Sequence, residues 1–374
     1  MKNKIRVAVL YGGRSGEHEV SLRSAASVIK NLDKSRFEVV PIGIDKSGKW
    51  HAAPPEALMQ NTASIPVFDN APVVDLPAYP VANHQTQKNQ SVSPANFDVV
   101  FPVVHGTLCE DGTLQGLLEL AEVAYVGCGV LASAVGMDKE VAKRLVRDAG
   151  LKMVPYVSLT AGTWAKNSEA ITARVEKELG YPCFVKPSNC GSSVGVHKVR
   201  DRGALRVAIL DALRYDTKIL VEKAIDAREI ELAVLENSDY GADPLVSIAG
   251  EINPTHEFYS YESKYLDENG AELIIPAKLS DSQMKGVQSM AKLVFQALEC
   301  EGMARVDLFL DRKTGEIYFN EVNTIPGFTS ISMYPKMWEA SGLKYSDLLS
   351  KLVDLAIARH ARKQKLSREF LPPV

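Results

Sequence analysis

The sequence predicts a mixed fold class, with an α/β unit in the N-terminal part of the chain and α+β units after it. The first observation is the apolar run IRVAVLY (5–11), which is continuous as in a buried parallel strand and is followed by a glycine turn and a helical pattern. The second is that further apolar runs alternate with a helix-like segment at 114–122, which favours a parallel sheet. The third is that later strand patterns occur in pairs joined by turns.

Composition limits the classes of function that the chain can have. The 374 residues are 46% hydrophobic and 24% charged, which is ordinary for a globular protein of two or three domains. A formal net charge of -3 without a long basic run gives no reason to expect nucleic acid as a partner. The N-terminal apolar run is too short for a signal peptide, and no stretch reaches the ~18 apolar residues of a membrane helix.

The cysteines indicate a reducing compartment. Their number is odd and they form no CxxC pair, which argues against a disulfide framework or a zinc site. We therefore expect free thiols, a cytoplasmic protein and no contact with membranes. The cysteines are Cys109, Cys128, Cys183, Cys190 and Cys300.

The elements can be assigned in chain order from their periodicity. The helix that follows the first strand has its apolar positions from Leu22 to Leu32. Residues 61–96 are rich in Pro, Asn, Gln and Ser, and we interpret them as a peripheral insertion. A helix at 137–150 ends at a glycine, and a second domain begins near Asp138. Further strands are predicted at 37–44, 97–104, 123–127, 183–187, 195–200, 218–225, 228–236, 303–310 and 316–322, a polar loop at 253–277, and helices at 282–298 and 346–363.

The last two strands form a predicted hairpin that carries the strongest chemical signal. Side chains alternate between the faces of a strand, so Arg305 and Asp307 share a face, as do Glu321 and Asn323 on the partner strand. Two carboxylates and an amide are oxygen donors that suit Mg²⁺. The alternative is that these residues are only solvated. In the next segment, 323–335, a glycine allows close approach of a backbone N–H to a ligand, although Pro and Gly also suit an ordinary turn.

A second signal is FVKPSNCGSSVGV (184–196), a strand followed by a Gly/Ser-rich loop and another strand. Lys186 is suited to bind phosphate as a point charge, with backbone N–H groups and hydroxyls of residues 191–195 folded over it. The segment is neither a P-loop nor GxGxxG, and a flexible hairpin without a ligand is the alternative. Taken alone, Lys139, Glu222 and Glu229 would be surface charges.

Taken together, these motifs resemble the ATP-grasp superfamily, and specifically the D-alanine:D-alanine ligase family. The resemblance implies three domains: a substrate-binding domain at 1–137, which contains the insertion, and two ATP-grasp subdomains at 138–221 and 222–374 with ATP between them. The motifs that carry it occur in the family's order and are GGRSGEHEVSL, VVHGTLCEDGTLQG, MDKEVAKRLVRDAGL, FVKPSNCGSSVGV, EKAIDAREIE, FYSYESKY, ARVDLFL and FNEVNTIPGFTSISMYP.

The family joins two D-alanines at the expense of ATP, which yields the dipeptide of peptidoglycan precursors. The resemblance therefore implies an ATP-dependent ligase that forms an acyl phosphate, uses ATP and two Mg²⁺ ions (or Mn²⁺), and is a homodimer. It implies that Asp307, Glu321 and Asn323 hold the metal, because phosphoryl transfer depends on neutralising charge. Arg305 and the N–H of Gly327 would stabilise the oxyanion of the tetrahedral intermediate.

The resemblance also implies which residues bind ATP and the amino acids. Glu17 would pair with the ammonium of the first D-alanine, so the first glycine turn serves the amino acid and not a phosphate. The residues implied for ATP are Lys139, Lys186, Ser193, Glu222, Lys223, Ala224, Ile225, Glu229 and Lys264. Those implied for the substrates are Glu17, Val20, Ser21, His105, Arg305, Gly327, Ser332 and Met333. As a lone histidine, His105 could equally be a satisfied structural residue.

The loop at 253–277 would close over the site and exclude water from the acyl phosphate. In it, Tyr265 would hydrogen-bond with Ser192 and Glu17. The catalytic residues that the resemblance implies are these three together with Arg305 and Gly327. A tyrosine at this position favours D-alanine over D-lactate as the second substrate. The alternative for this aromatic-rich loop is packing against the domain surface.

The chain departs from the family pattern at two positions, and three other functions compete with the ligase. Cys190 replaces an acidic or small residue, and Cys109 replaces a small one and could be an oxidisable thiol near the site. A ligase that uses D-lactate or D-serine is one alternative, and a nucleotide-binding regulator without catalysis is another. The regulator is disfavoured because every position for metal, oxyanion and lid carries suitable chemistry. A nicotinamide oxidoreductase is excluded because GGRSGEH is not GxGxxG.

Overall fold

Three sheets organise the part of the chain that the computed structural model describes, which is residues 4–52, 97–254 and 271–370. The strands are β1 (Ile5–Gly12), β2 (Phe37–Ile44), β3 (Trp50–Ala52), β4 (Val99–Pro102), β5 (Ala124–Tyr125), β6 (Tyr156–Thr160), β7 (Cys183–Pro187), β8 (His197–Val199), β9 (Lys218–Lys223), β10 (Ala227–Leu235), β11 (Leu245–Val246), β12 (Gly250–Pro254), β13 (Ala271–Ile274), β14 (Met303–Asp311) and β15 (Ile317–Asn323). The helices are α1 (His18–Asn31), α2 (Thr113–Leu120), α3 (Val130–Met137), α4 (Lys139–Asp148), α5 (Ala161–Glu178), α6 (Arg202–Ala212), α7 (Asp281–Ala297), α8 (Met333–Ala340) and α9 (Tyr345–Lys363).

The first sheet has the strand order β3-β2-β1-β4-β5 and is parallel except for β3. This confirms the predicted parallel α/β unit. The apolar run of β1 is buried on both faces, because one face shares a core with α1 and α9 and the other shares a core with α2. Gly12 and Gly13 follow with φ of 89° and 104°, a left-handed conformation that glycine adopts without strain. The chain therefore turns sharply from β1 towards α1.

The second sheet is antiparallel, with the order β6-β9-β7-β8, and α5 and α6 supply apolar residues to its core. The helix predicted at 137–150 begins at Lys139, because Asp138 is its N-cap and accepts a hydrogen bond from the Val141 N–H at 3.1 Å. Gly150 has a φ of 79°, so it ends this helix as predicted.

The third sheet has the order β13-β12-β10-β14-β15, with β11 also paired to β10. It contains the predicted hairpin, now β14 and β15, and α7 packs against it. The loop predicted at 253–277 was too long at both ends, because Asn253 pairs with Glu272 and Pro254 with Ala271 in the β12–β13 ladder. The polar composition of this segment concealed the strand pairing.

Within the described residues, no helix is long and apolar enough to span a membrane. All five cysteines are free thiols.

Candidate functional site

The β14–β15 hairpin brings together the residues that the strand pattern predicted. Arg305 lies opposite Asn323 and Asp307 lies opposite Glu321. The Arg305 guanidinium donates two hydrogen bonds of 2.7 Å to the Asp307 carboxylate, and the Asn323 amide donates a third of 2.9 Å. Arg305 also lies 3.2 Å from Glu231 on β10. One face of the hairpin therefore holds an arginine between carboxylates.

A β-bulge after Asp307 shifts the register between the two strands of the hairpin. Asp307 pairs with Glu321 but Leu308 pairs with Phe319, so Asn320 is an extra residue on the second strand. The Asn320 amide oxygen accepts a hydrogen bond of 3.4 Å from the Lys186 ammonium. The bulge thus joins the hairpin to the lysine that precedes the Gly/Ser-rich loop.

Buried charges in the site are paired with opposite charges. Burial would lower the pKa of Arg305, but the carboxylates of Asp307 and Glu231 outweigh it and raise that pKa well above its usual value. Burial would likewise lower the pKa of Lys139, but Glu321, at 3.3 Å, raises it. Both side chains therefore remain cations in the folded protein.

The donor set on the hairpin fits a magnesium ion. Asp307, Glu321 and Asn323 offer only oxygen donors, which Mg²⁺ prefers, and usually phosphate oxygens and water complete its octahedron. In the described parts of the chain, no group of three or more His, Cys, Asp or Glu side chains could hold a metal by itself. The fit therefore rests on two carboxylates and an amide.

The Gly/Ser-rich loop has an unusual backbone. Ser192 and Ser193 have φ of 52° and 58°, a left-handed conformation that is uncommon for residues other than glycine. At the start of this loop, the Cys190 carbonyl accepts a hydrogen bond of 2.7 Å from the Lys139 ammonium. The loop is thus fixed to α4 through backbone, and the side chain of Cys190 is not needed for that contact.

The same loop contacts the glycine turn after β1. The Ser192 hydroxyl donates a hydrogen bond to the Glu17 carboxylate. A Cβ on Gly106 or on Gly191 would lie 3.1 Å or 3.2 Å from Oε2 of Glu17, so both glycines allow the carboxylate to fit between them. The structure therefore brings Glu17 and Ser192 together, although they are 175 residues apart.

The other residues expected near the first amino acid differ in exposure. Ser21 is fully buried, and its hydroxyl accepts from the Gly12 N–H at 2.7 Å and donates to the Val103 carbonyl at 2.6 Å, so it holds the turn together. Val20 is half-buried at the start of α1. His105 is buried, with Nδ1 3.1 Å from the Ile325 carbonyl.

Sequence reasoning missed Glu110, which lies beside His105. Glu110 is buried, accepts from the Gly106 N–H at 3.2 Å and lies 3.7 Å from His105 Nδ1. Burial raises the pKa of this carboxyl group. Burial also raises the pKa of the neighbouring Cys109 thiol to about 12, which disfavours its reactive thiolate form and argues against an oxidisable thiol at this position.

The segment from Glu222 to Ile225 ends β9 and leads towards β10. Glu222 is buried and lies 2.5 Å from the Lys186 ammonium. The backbone N–H groups of Lys223 and Ala224 donate to Pro155 and Pro182, which holds the segment extended. Further along, Glu229 is half-buried on β10 opposite Ile252 and Phe309.

A tight loop separates β15 from α8. A Cβ on Gly327 would lie 2.8 Å from the Ser332 hydroxyl oxygen, which is itself held by the N–H and hydroxyl of Thr329 at 3.0 Å and 2.8 Å. Met333, the first residue of α8, is buried. Two predicted site residues, Lys264 and Tyr265, lie outside the described residues.

The hairpin, α4 and the Gly/Ser-rich loop enclose a cleft. Its lining combines residues from all three, so the elements converge on one site. The lining residues are Glu110, Gly136, Met137, Lys139, Gly191, Glu321, Val322, Asn323 and Thr324.

Comparison with solved structures defines the class of protein. The chain resembles the D-alanine–D-alanine ligase of Coxiella burnetii with a TM-score of 0.81 and 36% identity, over 97% of this chain and 96% of that one. It resembles the D-Ala:D-Ser ligase VanG of Enterococcus faecalis with a TM-score of 0.82 and 37% identity, over 95% and 100%. The fold is the ATP-grasp fold, which confirms the predicted fold class.

Comparison with sequences defines the family. The family model described as D-ala D-ala ligase N-terminus matches residues 6–128, and that described as D-ala D-ala ligase C-terminus matches 145–354. The D-alanine–D-alanine ligase A of Bradyrhizobium diazoefficiens is 57% identical, over 99% of this chain and 100% of the relative. A D-alanine–D-alanine ligase of Legionella pneumophila is 49% identical over the same shares. The chain belongs to the D-alanine–D-alanine ligase family, as the motifs predicted.

Proposed function

We propose that the protein is an ATP-dependent ligase that joins two D-alanines into D-alanyl-D-alanine, the dipeptide of peptidoglycan precursors, in the cytoplasm. The observation that carries this proposal is the cleft lined by Lys139, the charged hairpin and the Gly/Ser-rich loop, with Glu17 bound to Ser192 of that loop. Two relatives named for this activity are 57% and 49% identical, whereas the D-Ala:D-Ser ligase is 37% identical, close to the 36% of the D-alanine–D-alanine ligase of Coxiella burnetii. D-alanine is therefore the better candidate for the second substrate.

The reaction has two steps. First, a carboxylate oxygen of one D-alanine attacks the γ-phosphorus of ATP, the bond to ADP breaks, and an acyl phosphate forms. The amine of the second D-alanine then attacks the carbonyl carbon, an amide forms, and inorganic phosphate leaves. The protein orients these groups and compensates the charge that develops on them.

The residues of the phosphate end act through charge. Lys139 and Lys186 bind the phosphates, and Ser193 covers them with the Gly/Ser-rich loop. Asp307, Glu321 and Asn323 would hold two Mg²⁺ ions, or Mn²⁺ in their place. Bound metal would neutralise the charge on the phosphate oxygens. The adenine lies along residues 222–225, with Glu229 at the ribose and Lys264 at the phosphate.

The residues of the amino-acid end act by orientation. Glu17 pairs with the ammonium of the first D-alanine and is itself held by Ser192, with Tyr265 as the third member of that set. Ser21 and Val20 support the turn that carries Glu17, and His105 lies near the first substrate. Arg305 and the Gly327 N–H stabilise the oxyanion. The last two substrate contacts, both near the second D-alanine, are Ser332 and Met333.

The proposal is tested with purified protein, ATP and Mg²⁺. Phosphate release should require D-alanine and should not occur with L-alanine, and mass spectrometry should identify the amide product. Absence of phosphate release across a panel of D-amino acids and D-hydroxy acids would overturn the ligase proposal. A mixture of D-alanine with D-serine or D-lactate identifies the second substrate from the product, and sedimentation analysis tests the proposed homodimer.

The metal assignment is tested with Glu321→Gln, which should abolish turnover while the circular dichroism spectrum stays unchanged. The matched control is Glu316→Gln at the outer end of the same hairpin, where Glu316 pairs with the exposed Lys152. This control should keep full turnover. Turnover by Glu321→Gln at the level of the control would remove Glu321 from the metal site.

A further inference from the structure

Two lysines share one buried carboxylate beneath the site. Glu222 is 3% exposed at the end of β9. Its Oε2 lies 2.5 Å from the Lys186 ammonium on β7, and its Oε1 lies 3.0 Å from the Lys143 ammonium on α4. Lys143 was not among the predicted site residues, although it lies one helical turn from Lys139.

The two lysines differ in their freedom to reach a ligand. Lys143 is 0% exposed, lies 5.6 Å from the centre of the Phe319 ring and donates to the Phe319 carbonyl at 3.4 Å. Its ammonium is thus enclosed by protein. Lys186 is 9% exposed, and beside Glu222 it contacts the Asn320 amide at 3.4 Å, a long hydrogen bond. Of the two, Lys186 is therefore the lysine that can reach a ligand, whereas the Lys143 ammonium stays enclosed beside Glu222.

An ammonium that moves from a buried carboxylate to a phosphate leaves that carboxylate behind. A buried charge without a partner is strongly unfavourable, so one lysine alone would stay bound to Glu222. With Lys143 present, Glu222 keeps a counter-ion after Lys186 has moved. Burial would raise the pKa of Glu222, but the two ammonium groups outweigh it and hold that pKa below its usual value, so Glu222 is an anion that needs this partner.

We propose that Lys143 is a positioning residue that serves as the permanent counter-ion of Glu222 and thereby releases Lys186 to bind the phosphates of ATP. The inference rests on the proposed function only in that Lys186 binds phosphate. Lys143 itself touches neither the nucleotide nor the amino acids. Its effect should therefore be confined to nucleotide affinity.

The first test is Lys143→Met, which keeps the aliphatic length and removes the charge. Loss of a charged hydrogen-bond partner should raise KM for ATP about ten- to a hundredfold, because Lys186 stays bound to Glu222. KM for D-alanine should not change. The control is Lys152→Met, which removes an exposed lysine and should leave both KM values as in the wild type. Equal rises in both KM values for Lys143→Met, or none, would overturn the inference.

The second test neutralises Glu222 as well. In the Glu222→Gln background no charge retains Lys186, so adding Lys143→Met should not weaken nucleotide binding further. A merely structural role of Lys143 predicts a further loss in the double variant, and that result would overturn the inference. This comparison also decides the case if Lys143→Met alone does not fold. Calorimetric titration with ADP and Mg²⁺ measures binding in every variant, so the inference is tested even if the wild type were to lack ligase activity.

Discussion

Replacement of Arg359 by methionine should loosen the attachment of the last helix to the first sheet. Arg359 lies on α9 and is 4% exposed. Its guanidinium donates to the carbonyls of Tyr125, at 2.7 Å, and Gly127, and lies 4.4 Å from the centre of the Tyr125 ring. It also approaches Glu301 to 3.5 Å. One side chain therefore joins α9 to the turn that leads from β5 into the site.

The expected loss of stability follows from the groups that lose their partner when methionine replaces Arg359. Each buried carbonyl that loses its donor costs about 1–3 kcal/mol, and the lost contact with the Tyr125 ring adds about 1 kcal/mol. Methionine fills most of the space of the arginine stem, so a large cavity is not expected. We expect the free energy of unfolding to fall by about 4 kcal/mol in total.

Urea denaturation measures this loss. Circular dichroism and tryptophan fluorescence should both be followed, because a chain of several domains can unfold in more than one step. The matched control is Arg368→Met, which removes an ion pair with Glu122 whose side chains are 61% and 56% exposed. Such a pair contributes at most about 1 kcal/mol. A loss for Arg359→Met no larger than for this control would refute the reasoning.

Three further predictions concern the site. Gly327→Ala places a Cβ 2.8 Å from the Ser332 hydroxyl, so either this hydroxyl leaves Thr329 or the loop shifts, and kcat/KM for D-alanine should fall about a hundredfold in steady-state assays. Asp307→Asn should raise the Mg²⁺ concentration for half-maximal activity roughly tenfold or more. Burial would raise the pKa of Asp138, but Lys218 and other partners hold it below its usual value. Its contribution to stability is therefore present above about pH 4 and is lost as pH falls through the folded pKa, so the stability difference from Asp138→Asn should shrink from pH 6 to pH 3.

The hairpin was predictable because its chemistry is local. An alternation of period two places Arg305 with Asp307 and Glu321 with Asn323, and a short turn fixes which strands pair. The observed register then sets Arg305 opposite Asn323 and Asp307 opposite Glu321, so the two predicted pairs lie together. The bulge that exposes Asn320 to Lys186 was not predicted, because an extra residue on one strand leaves no mark in the alternation.

The contacts between distant elements were not predictable in the same way. The hydrogen bond from Ser192 to Glu17 joins two loops, and their closeness depends on how whole domains pack. The family resemblance implied that Tyr265 contacts both residues, whereas neither loop alone indicates that they lie together. Lys143 could have been found from its spacing to Lys139, since residues four apart share a helix face. Its partner Glu222 lies on β9, in a distant part of the sequence. The carboxylate that the two lysines share was therefore visible only in the structure.

Each cation of the site is paired with a carboxylate. Arg305 is bound to Asp307, Lys139 lies beside Glu321, and Lys186 lies beside Glu222. Each of these cations is proposed to act on a phosphate or an oxyanion, so each must leave its carboxylate. At the hairpin, a bound metal ion would supply the positive charge that Arg305 and Lys139 take away. Glu222 is 3% exposed and lies between Lys186 and Lys143, so Lys143 keeps it neutralised when Lys186 moves. When the three cations change partners, Glu222 therefore needs a cation from within the protein, which is Lys143. Asp307 and Glu321 can instead be neutralised by a bound metal ion.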